Sequence, residues 1–397
     1  MVRSLPGLSP RLAVSLFFLS LGILFSCWVA RIPAVSERLD LNTAQLGTLL
    51  LFAAVGSIVS FQFAGGLIQR HGSALIGTIS GCGFAVSFAL LAVAPDAISL
   101  GAVLFVFGFF HGMIDIAVNA QGVEVERVLH RKIMSSLHGF FSLGGLIGAA
   151  LSGGIAFLGI GIVPHFLTFA IIAFVVYLWA GRAQLPDQPV EAHHAHATAG
   201  SAFRRLIPPR ALWAFGVIAF CAAIGEGGMA DWSSLFLHQE LKTSEGVAAL
   251  GYTTFSTTML LGRFSGDRIV AQLGGVRTLR ICGLVAAVGM ALAVATEAVA
   301  TAMIGFALVG IGLSVIIPVV YSAAGRTPGL HSGQAVASVA TIGYTGFLAG
   351  PPVLGWLAQL TSLPFALTVI VVLSVVVVFF ASAVDPARAT SPSAPLP

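Results

Sequence analysis

Long apolar runs make up most of the chain, and short clusters of Pro, Gly and charged residues separate them. A helix needs about 20 apolar residues to cross roughly 30 Å of hydrocarbon. Runs of that length predict helices over 11–32, 44–68, 73–94, 98–121, 134–158, 163–181, 210–237, 247–270, 276–296, 299–324, 333–359 and 363–384. The predicted fold is therefore all-α, with twelve transmembrane helices.

Composition and charge exclude a soluble protein and predict an orientation. Only 9% of the 397 residues are charged, against about 25% in ordinary globular proteins. Of the 19 Lys and Arg, only Arg31, Arg38 and Lys242 fall on one side of the predicted membrane, and the other sixteen lie on the side of both termini. Cytoplasmic loops collect positive charge, so we expect both termini in the cytoplasm of a bacterial inner-membrane protein. The scattered basic residues argue against nucleic-acid binding, and nothing in the spans requires more than a monomer in the lipid bilayer.

The two halves of the chain resemble each other at a shift of about 202 residues. Trp28 and Gly47 are nineteen residues apart, and Trp232 and Gly251 repeat that spacing. Two six-helix halves in parallel orientation are the plan of an alternating-access transporter. The predicted domains are the halves 1–181 and 210–384, a cytoplasmic linker at 182–209, and a cytoplasmic tail at 385–397.

Two short segments carry a family resemblance. Residues 65–72 read Gly-Gly-Leu-Ile-Gln-Arg-His-Gly, and residues 262–268 read Gly-Arg-Phe-Ser-Gly-Asp-Arg. Together with the repeat, they resemble the major facilitator superfamily of transporters over nearly all of the chain, although Gln69 stands where the family usually has Asp. The resemblance implies that fold and implies gating roles for Arg70, Arg263 and Asp267.

Ionisable residues inside predicted spans are functional candidates, because each costs about 2.5–3.5 kcal/mol at mid-bilayer on insertion scales. His111, Asp115 and Asn119 form a stripe on one face of span 4, four residues apart. We predict that Asp115 carries a proton, that His111 stabilises it or shares the proton, and that Asn119 contacts substrate. The alternative is a static hydrogen-bonded pair between helices. The spacing of Asp115 and Asn119 also resembles the fucose–proton symporter branch of the superfamily.

Span 7 offers a second acidic candidate. Glu226 lies between glycines, which weaken a helix, and we predict a proton-coupling role for it. Asp231 lies nearer the periplasmic end, where a gate or a salt bridge to Arg31 is as plausible as substrate contact. This segment and residues 28–33 resemble uncharacterised bacterial inner-membrane transporters of the YbjJ-like group, and that resemblance supplies no substrate.

Further polar and aromatic side chains are candidates for substrate binding. His138 and Ser142 share a face at the start of span 5, where His138 either binds substrate or caps a buried helix start. Tyr321 and Tyr344 are candidate hydrogen-bonding or stacking contacts from the second half. Trp28 is a further candidate contact, although its recurrence in both halves favours packing or an interfacial anchor.

Span 5 also contains Gly144, Gly145 and Gly148, which predict close approach of a neighbouring helix. Glu124 lies about half a turn round the helix from Asp115 and near the cytoplasmic end. We group it with the loop charges.

Metal and cofactor sites are not predicted. The four cysteines, Cys27, Cys82, Cys221 and Cys282, lie in predicted spans and do not have a metal-binding spacing. Four linker residues are weak candidates for metal ligands, namely Glu191, His193, His194 and His196. For these four, a solvated loop is the preferred interpretation.

Three classes of function compete. An enzyme would need a nucleophile or metal motif, and no HExxH, nucleophile elbow or Cys pair occurs. A sensor without transport would be expected to carry a sizeable cytoplasmic partner domain, and no such domain is predicted between the spans. Among transporters, polar candidates favour proton-coupled symport of a small sugar- or polyol-like solute, with proton-coupled export of amphipathic drugs or metabolites as the alternative. The predicted partners are this solute and protons.

Overall fold

The structure is a computed structural model that describes residues 8–41, 43–187, 210–243 and 245–385. Within these ranges the chain is helical and contains no strand. The helices are α1 (Pro10–Arg38), α2 (Thr43–His71), α3 (Ser73–Leu91), α4 (Ala97–Leu129), α5 (Met134–Phe157), α6 (Ile162–Gly181), α7 (Arg210–Gln239), α8 (Glu245–Ala295), α9 (Val299–Leu313), α10 (Ile316–Ala324), α11 (Ser332–Leu360) and α12 (Leu363–Phe380), followed by a 3-10 turn (Ala381–Val384).

Ten helices in the described ranges are long and apolar enough to cross a membrane. One of them, α8, has 51 residues and contains Gly274 at φ 76° and ψ 162°. This left-handed conformation suits glycine, and it divides α8 into the predicted spans 8 and 9. The helix α11 has 29 residues and covers the predicted span 333–359. The prediction of twelve transmembrane helices is therefore confirmed.

Predicted span 10 is interrupted rather than continuous. It consists of α9, which ends at Leu313, and α10, which begins at Ile316. Pro318 follows in the first turn of α10 and has no N–H to donate to the Ser314 carbonyl. The missing hydrogen bond accounts for a break at this point, which the apolar run alone does not reveal.

Several helix starts are fixed by side chains. Ser9 accepts from the backbone N–H of Leu12 at the start of α1, and Ser362 does the same for Phe365 in α12. At α4, Asp96 and Ser99 form a reciprocal capping box. These contacts satisfy N–H groups that the first turn leaves without partners.

The chain divides into two compact units, each built from three segments. The first unit comprises Met1–His130, Leu137–Leu206 and Gly329–Ala337, and the second comprises Arg131–Ser136, Ile207–Pro328 and Ser338–Pro397. The start of α5 therefore belongs with the second unit and the start of α11 with the first.

Close backbone contact joins α1 and α5 in the first unit. A Cβ built on Gly144 would lie 2.2 Å from the Leu19 carbonyl oxygen, and one on Gly148 would lie 2.5 Å from the Ile23 oxygen. A Cβ on Gly145 would meet nothing within 4 Å. The expected close approach is therefore present at Gly144 and Gly148 and absent at Gly145.

Candidate functional site

The polar stripe of α4 meets α5 through hydrogen bonds. The Asn119 amide Nδ2 donates to the Asp115 backbone oxygen at 2.8 Å and to its carboxylate Oδ1 at 3.1 Å. The Asn119 Oδ1 lies 3.0 Å from His138 Nε2. An amide oxygen only accepts, so Nε2 carries the proton in this contact. Asn119 and His138 are buried and Asp115 is partly exposed, so these three side chains form one connected group in the first unit, which we call the α4–α5 polar group.

Ser142 lies one turn beyond His138 on α5. Its hydroxyl donates to the His138 backbone carbonyl at 3.3 Å, and its side chain is partly exposed. The predicted shared face of these two residues is present. Substrate contact by either residue stays a prediction.

His111 has aromatic surroundings rather than the predicted carboxylate partner. Its ring centroid lies 5.2 Å from that of Phe25 and 5.5 Å from that of Phe84. Its Nε2 is buried and has no hydrogen-bond partner among the described residues. The structure therefore does not join His111 to Asp115, and its role in proton coupling stays a prediction. Trp28 is buried, and its ring centroid lies 6.4 Å from that of Phe107, which stacks on Phe84; substrate contact by Trp28 stays a prediction.

Glu226 forms an ion pair inside the second unit. Arg263 Nη2 lies 3.3 Å and 3.4 Å from the two Glu226 carboxylate oxygens, and both side chains are largely buried. Arg263 thus joins α8 to α7, and its expected role in gating stays a prediction. The flanking glycines do not unwind α7, which is helical from Arg210 to Gln239.

Asp267 holds the first residues of α5. Its two carboxylate oxygens accept from the backbone N–H groups of Ser135 at 2.9 Å and Ser136 at 3.0 Å. The Ser135 hydroxyl donates to the Arg263 carbonyl at 2.7 Å. A carboxylate is favourable at the positive end of a helix dipole. Asp267 therefore ties α8 to the start of α5, and its part in gating stays a prediction.

The remaining candidates lie on α2, α7, α10 and α11. Arg70 is exposed in the last turn of α2, and Asp231 is exposed on α7. Tyr321 is buried on α10, and Tyr344 is partly exposed on α11 with its ring 6.0 Å from that of Phe347. Their predicted roles in gating and substrate binding stay predictions.

A buried network around Asp187 was not predicted. Asp187 accepts from the backbone N–H of Ser73 at 2.8 Å and from the Ser73 hydroxyl. Gln121 Nε2 contacts the same carboxylate at 3.4 Å, and His331 Nε2 lies 3.6 Å from it. The sequence signal for this network was the polar Gln121 at the end of an apolar span. The partners of Asp187 come from distant parts of the chain, so the sequence does not bring them together.

Glu124 is also more buried than a loop charge would be. Only 3% of its surface is exposed. It accepts from Arg127 at 2.9 Å and from the Ser332 hydroxyl at 3.2 Å. Its expected grouping with solvated loop residues is therefore wrong, because the start of α11 covers it within the first unit.

No cluster of three or more potential metal ligands occurs among the described residues. The four linker candidates, from Glu191 to His196, lie outside those residues. The four cysteines are free, and three of them are buried.

The many long apolar helices of the described residues define a multi-pass membrane protein. The Major Facilitator Superfamily model matches residues 17–294 and 232–397, and the chain belongs to this family of transporters, which are not enzymes. It is 35% identical over 381 residues to an uncharacterized MFS-type transporter of Yersinia pestis, covering 96% of this chain and 97% of that one. It is 30% identical over 368 residues to the membrane protein MosC of Rhizobium meliloti, covering 92% and 88%.

Solved structures show the same fold at low sequence identity. The E. coli fucose:proton symporter superposes with a TM-score of 0.80 at 16% identity, covering 94% of this chain and 98% of that chain. The proton:xylose symporter XylE gives a TM-score of 0.73 at 14% identity, covering 93% and 94%. At these identities the likeness concerns the fold.

Proposed function

We propose that this transporter is a proton-coupled symporter of a small polar, sugar- or polyol-like solute, that it works by alternating access, and that Asp115 carries the proton. The observation that carries the proposal is the α4–α5 polar group. Two structural neighbours described as proton symporters of sugars add support through the shared fold.

Asp115 has the surroundings that a proton carrier needs. The Asn119 amide donates to one carboxylate oxygen, and a proton bound at the other oxygen would leave that hydrogen bond in place. The carboxylate is partly exposed, while Asn119 and His138 behind it are buried. Protons therefore have access to Asp115, and its position relative to α5 is held by the polar group.

Charge neutralisation gives this arrangement a mechanism. A carboxylate inside a membrane protein is costly, and protonation removes its charge. We infer that Asp115 takes a proton from the periplasm before solute binds, and that the hydroxyl groups of the solute then bond to Asn119, His138 and Ser142. Alternating access would then open the loaded, neutral site to the cytoplasm.

Glu226 is the second candidate for proton coupling. Arg263 is permanently charged and lies against both carboxylate oxygens of Glu226. This pairing favours a fixed ion pair within the second unit. We therefore rank Glu226 below Asp115 as a candidate for proton coupling. We further propose that the protein works as a monomer in the inner membrane with both termini cytoplasmic.

The test is proton movement in proteoliposomes. Lightly buffered vesicles receive a panel of sugars, polyols and cationic dyes while the external pH is recorded for the wild type, Asp115→Asn and Asp96→Asn. The last variant is the matched control, because Asp96 caps the start of the same helix, outside the predicted span, and Asn also caps helices well.

We expect external alkalinisation with one class of polar solute, its loss in Asp115→Asn, and its retention in Asp96→Asn. Solute exchange at equal pH should persist in Asp115→Asn, which shows that the variant is folded. Unchanged proton flux in Asp115→Asn would remove Asp115 from the mechanism. Dye efflux driven by a proton gradient would instead establish the export alternative.

A further inference from the structure

The part of α8 that follows Gly274 presents one exposed face in the second unit. Its other sides are packed. A Cβ built on Gly283 would lie 2.8 Å from the Ser374 carbonyl oxygen of α12, and one on Gly289 would lie 2.7 Å from the Gly305 oxygen of α9. The exposed side chains recur every three or four residues, as they do on one face of a helix. From 277 to 288 they are Arg277, Arg280, Ile281, Leu284 and Val288, and we call them the Arg277 stripe.

The Arg277 stripe is charged at one end and apolar over the rest. Ile281, Leu284 and Val288 are 50%, 58% and 54% exposed, and exposed apolar side chains on a transmembrane helix contact the lipid tails. The two arginines come three and six residues after Gly274, where the helix bends. At 1.5 Å per residue they lie within about 9 Å of this bend, and long basic side chains near a helix end reach the membrane surface. The stripe therefore places charge at the surface and apolar side chains beneath it.

Acidic residues of α8 do not neutralise these arginines. The sequence contains no Asp or Glu between Asp267 and Glu297, and the Asp267 carboxylate accepts from the start of α5. Among the described residues, neither Arg277 nor Arg280 forms an ion pair. Helical residues three apart are neighbours, and a guanidinium keeps its charge at physiological pH. Two positive charges therefore stand side by side on an exposed face.

The first unit contains a matching stripe on α3. Gly72 precedes α3 at φ 85° and ψ 149°, and Gly274, 202 residues later, has φ 76° and ψ 162°. After Gly72, the side chains of Leu75, Ile79 and Val86 are exposed. These positions correspond to 277, 281 and 288 at the same shift of 202 residues. The two units therefore share the bend and the exposed face that follows it.

The arginines are what distinguishes the two stripes. At the shift of 202 residues, Leu75 and Thr78 take the places of Arg277 and Arg280. The first unit forms the same helix with uncharged side chains at these two positions. Folding of the segment therefore does not explain the arginines, whereas an anionic ligand at the membrane surface does.

We propose that the Arg277 stripe binds one anionic phospholipid. Its phosphate lies against the two arginines, and an acyl chain lies along the three apolar residues. A guanidinium donates two parallel hydrogen bonds to phosphate oxygens, and basic residues at the membrane surface attract anionic lipids. A free phosphate ion would contact the arginines alone. This inference is independent of the transported solute.

The first test compares the two stripes within the wild-type protein. The full chain is placed in phosphatidylcholine vesicles that contain a small fraction of phosphatidylglycerol with a diazirine in one acyl chain. After irradiation, mass spectrometry measures the label on residues 281–288 and on the matching residues 79–86. A phosphatidylcholine probe with the same diazirine gives the reference, because the ratio of the two labels cancels differences in side-chain reactivity.

We expect the ratio of phosphatidylglycerol label to phosphatidylcholine label to be several-fold higher on 281–288 than on 79–86. Equal ratios on the two segments would overturn the proposal. This measurement needs no variant, so it decides the question even where a substituted protein does not fold.

The second test is thermal unfolding of the full chain in detergent with added phosphatidylglycerol or phosphatidylcholine. The double variant Arg277→Leu/Arg280→Thr installs the residues that the first unit has at these positions. Arg70→Gln is the matched control, because Arg70 is an exposed arginine beside the corresponding bend in the first unit. A ligand that binds the folded state raises Tm with its concentration.

We expect phosphatidylglycerol to raise Tm more than phosphatidylcholine does, both in the wild type and in Arg70→Gln. In the double variant, the phosphatidylglycerol concentration at half of this rise should increase about thirty-fold, which corresponds to about 1 kcal/mol for each arginine. Equal effects of the two lipids on the wild type would overturn the proposal, as would equal responses of the double variant and Arg70→Gln. An equal rise of Tm with inorganic phosphate would assign the arginines to a free anion and would also overturn it.

Discussion

Replacement of Gly144 by Ala should separate α1 from α5. The new Cβ would lie 2.2 Å from the Leu19 carbonyl oxygen and 3.0 Å from the Ile23 backbone nitrogen. An ordinary contact is roughly 3.5 Å, so one helix must move by roughly 1 Å. Both nearest atoms belong to helical backbone, which cannot turn aside as a flexible side chain can.

The matched control is one residue away. A Cβ at Gly145 would meet nothing within 4 Å. Gly→Ala in a helix gains up to about 1 kcal/mol from propensity, and this gain is common to both variants, so their difference isolates the overpacking. Overpacking in a filled core costs about 1–3 kcal/mol, and we expect Gly144→Ala near the upper end.

The assay is thermal unfolding of each variant in detergent. With about 2–4 °C per kcal/mol for a unit of roughly 200 residues, Gly144→Ala should melt several degrees below Gly145→Ala. Gly148→Ala should fall between them, because its Cβ would lie 2.5 Å from the Ile23 oxygen. Equal Tm values for Gly144→Ala and Gly145→Ala would refute the close approach of α1 and α5.

Two further outcomes follow from the contacts of single residues. Glu226→Met and Arg263→Met should each lower Tm, because each leaves the charge of its buried partner unpaired. The double variant should recover part of the loss, with a coupling energy of about 1–3 kcal/mol. Additive losses of stability would show that the pair is not coupled. Hydrogen bonds from Ser99 lower the pKa of Asp96 below its ordinary value. The Asp96 carboxylate therefore contributes stability above the pKa of the unfolded state, about 3.9. This contribution is lost as the pH falls through the lower pKa of the folded state. The Tm difference between the wild type and Asp96→Asn should therefore shrink below about pH 4, and a difference that does not change with pH would contradict this role.

Some of the site was accessible from sequence because it lies on one helix. Asp115 and Asn119 are four residues apart, and helical geometry alone places them side by side. The hydrogen bond between their side chains, at 3.1 Å, was therefore within reach of prediction. His111 belongs to the same stripe, yet the rings of Phe25 and Phe84 surround it. These rings come from other helices, which the spacing on α4 does not specify.

Contacts between distant residues could not be predicted in the same way. The pairing of Glu226 with Arg263 and the burial of Glu124 under the start of α11 depend on which helix faces meet. The apolar pattern carries little of that information, because all sides of a membrane helix are largely apolar. Asp187 shows this most clearly, since it lies in the predicted linker and contacts His331.

The sequence by itself determined the number of crossings and the acidic candidates, because the bilayer requires long apolar segments and penalises each charge within them. Only the tertiary structure decided how those charges are satisfied. It joined Asn119 to His138, Glu226 to Arg263, and Asp267 to the start of α5. The physical reason is that apolarity is a property of a segment, whereas a hydrogen bond requires two particular side chains within about 3 Å, and helix packing sets that distance.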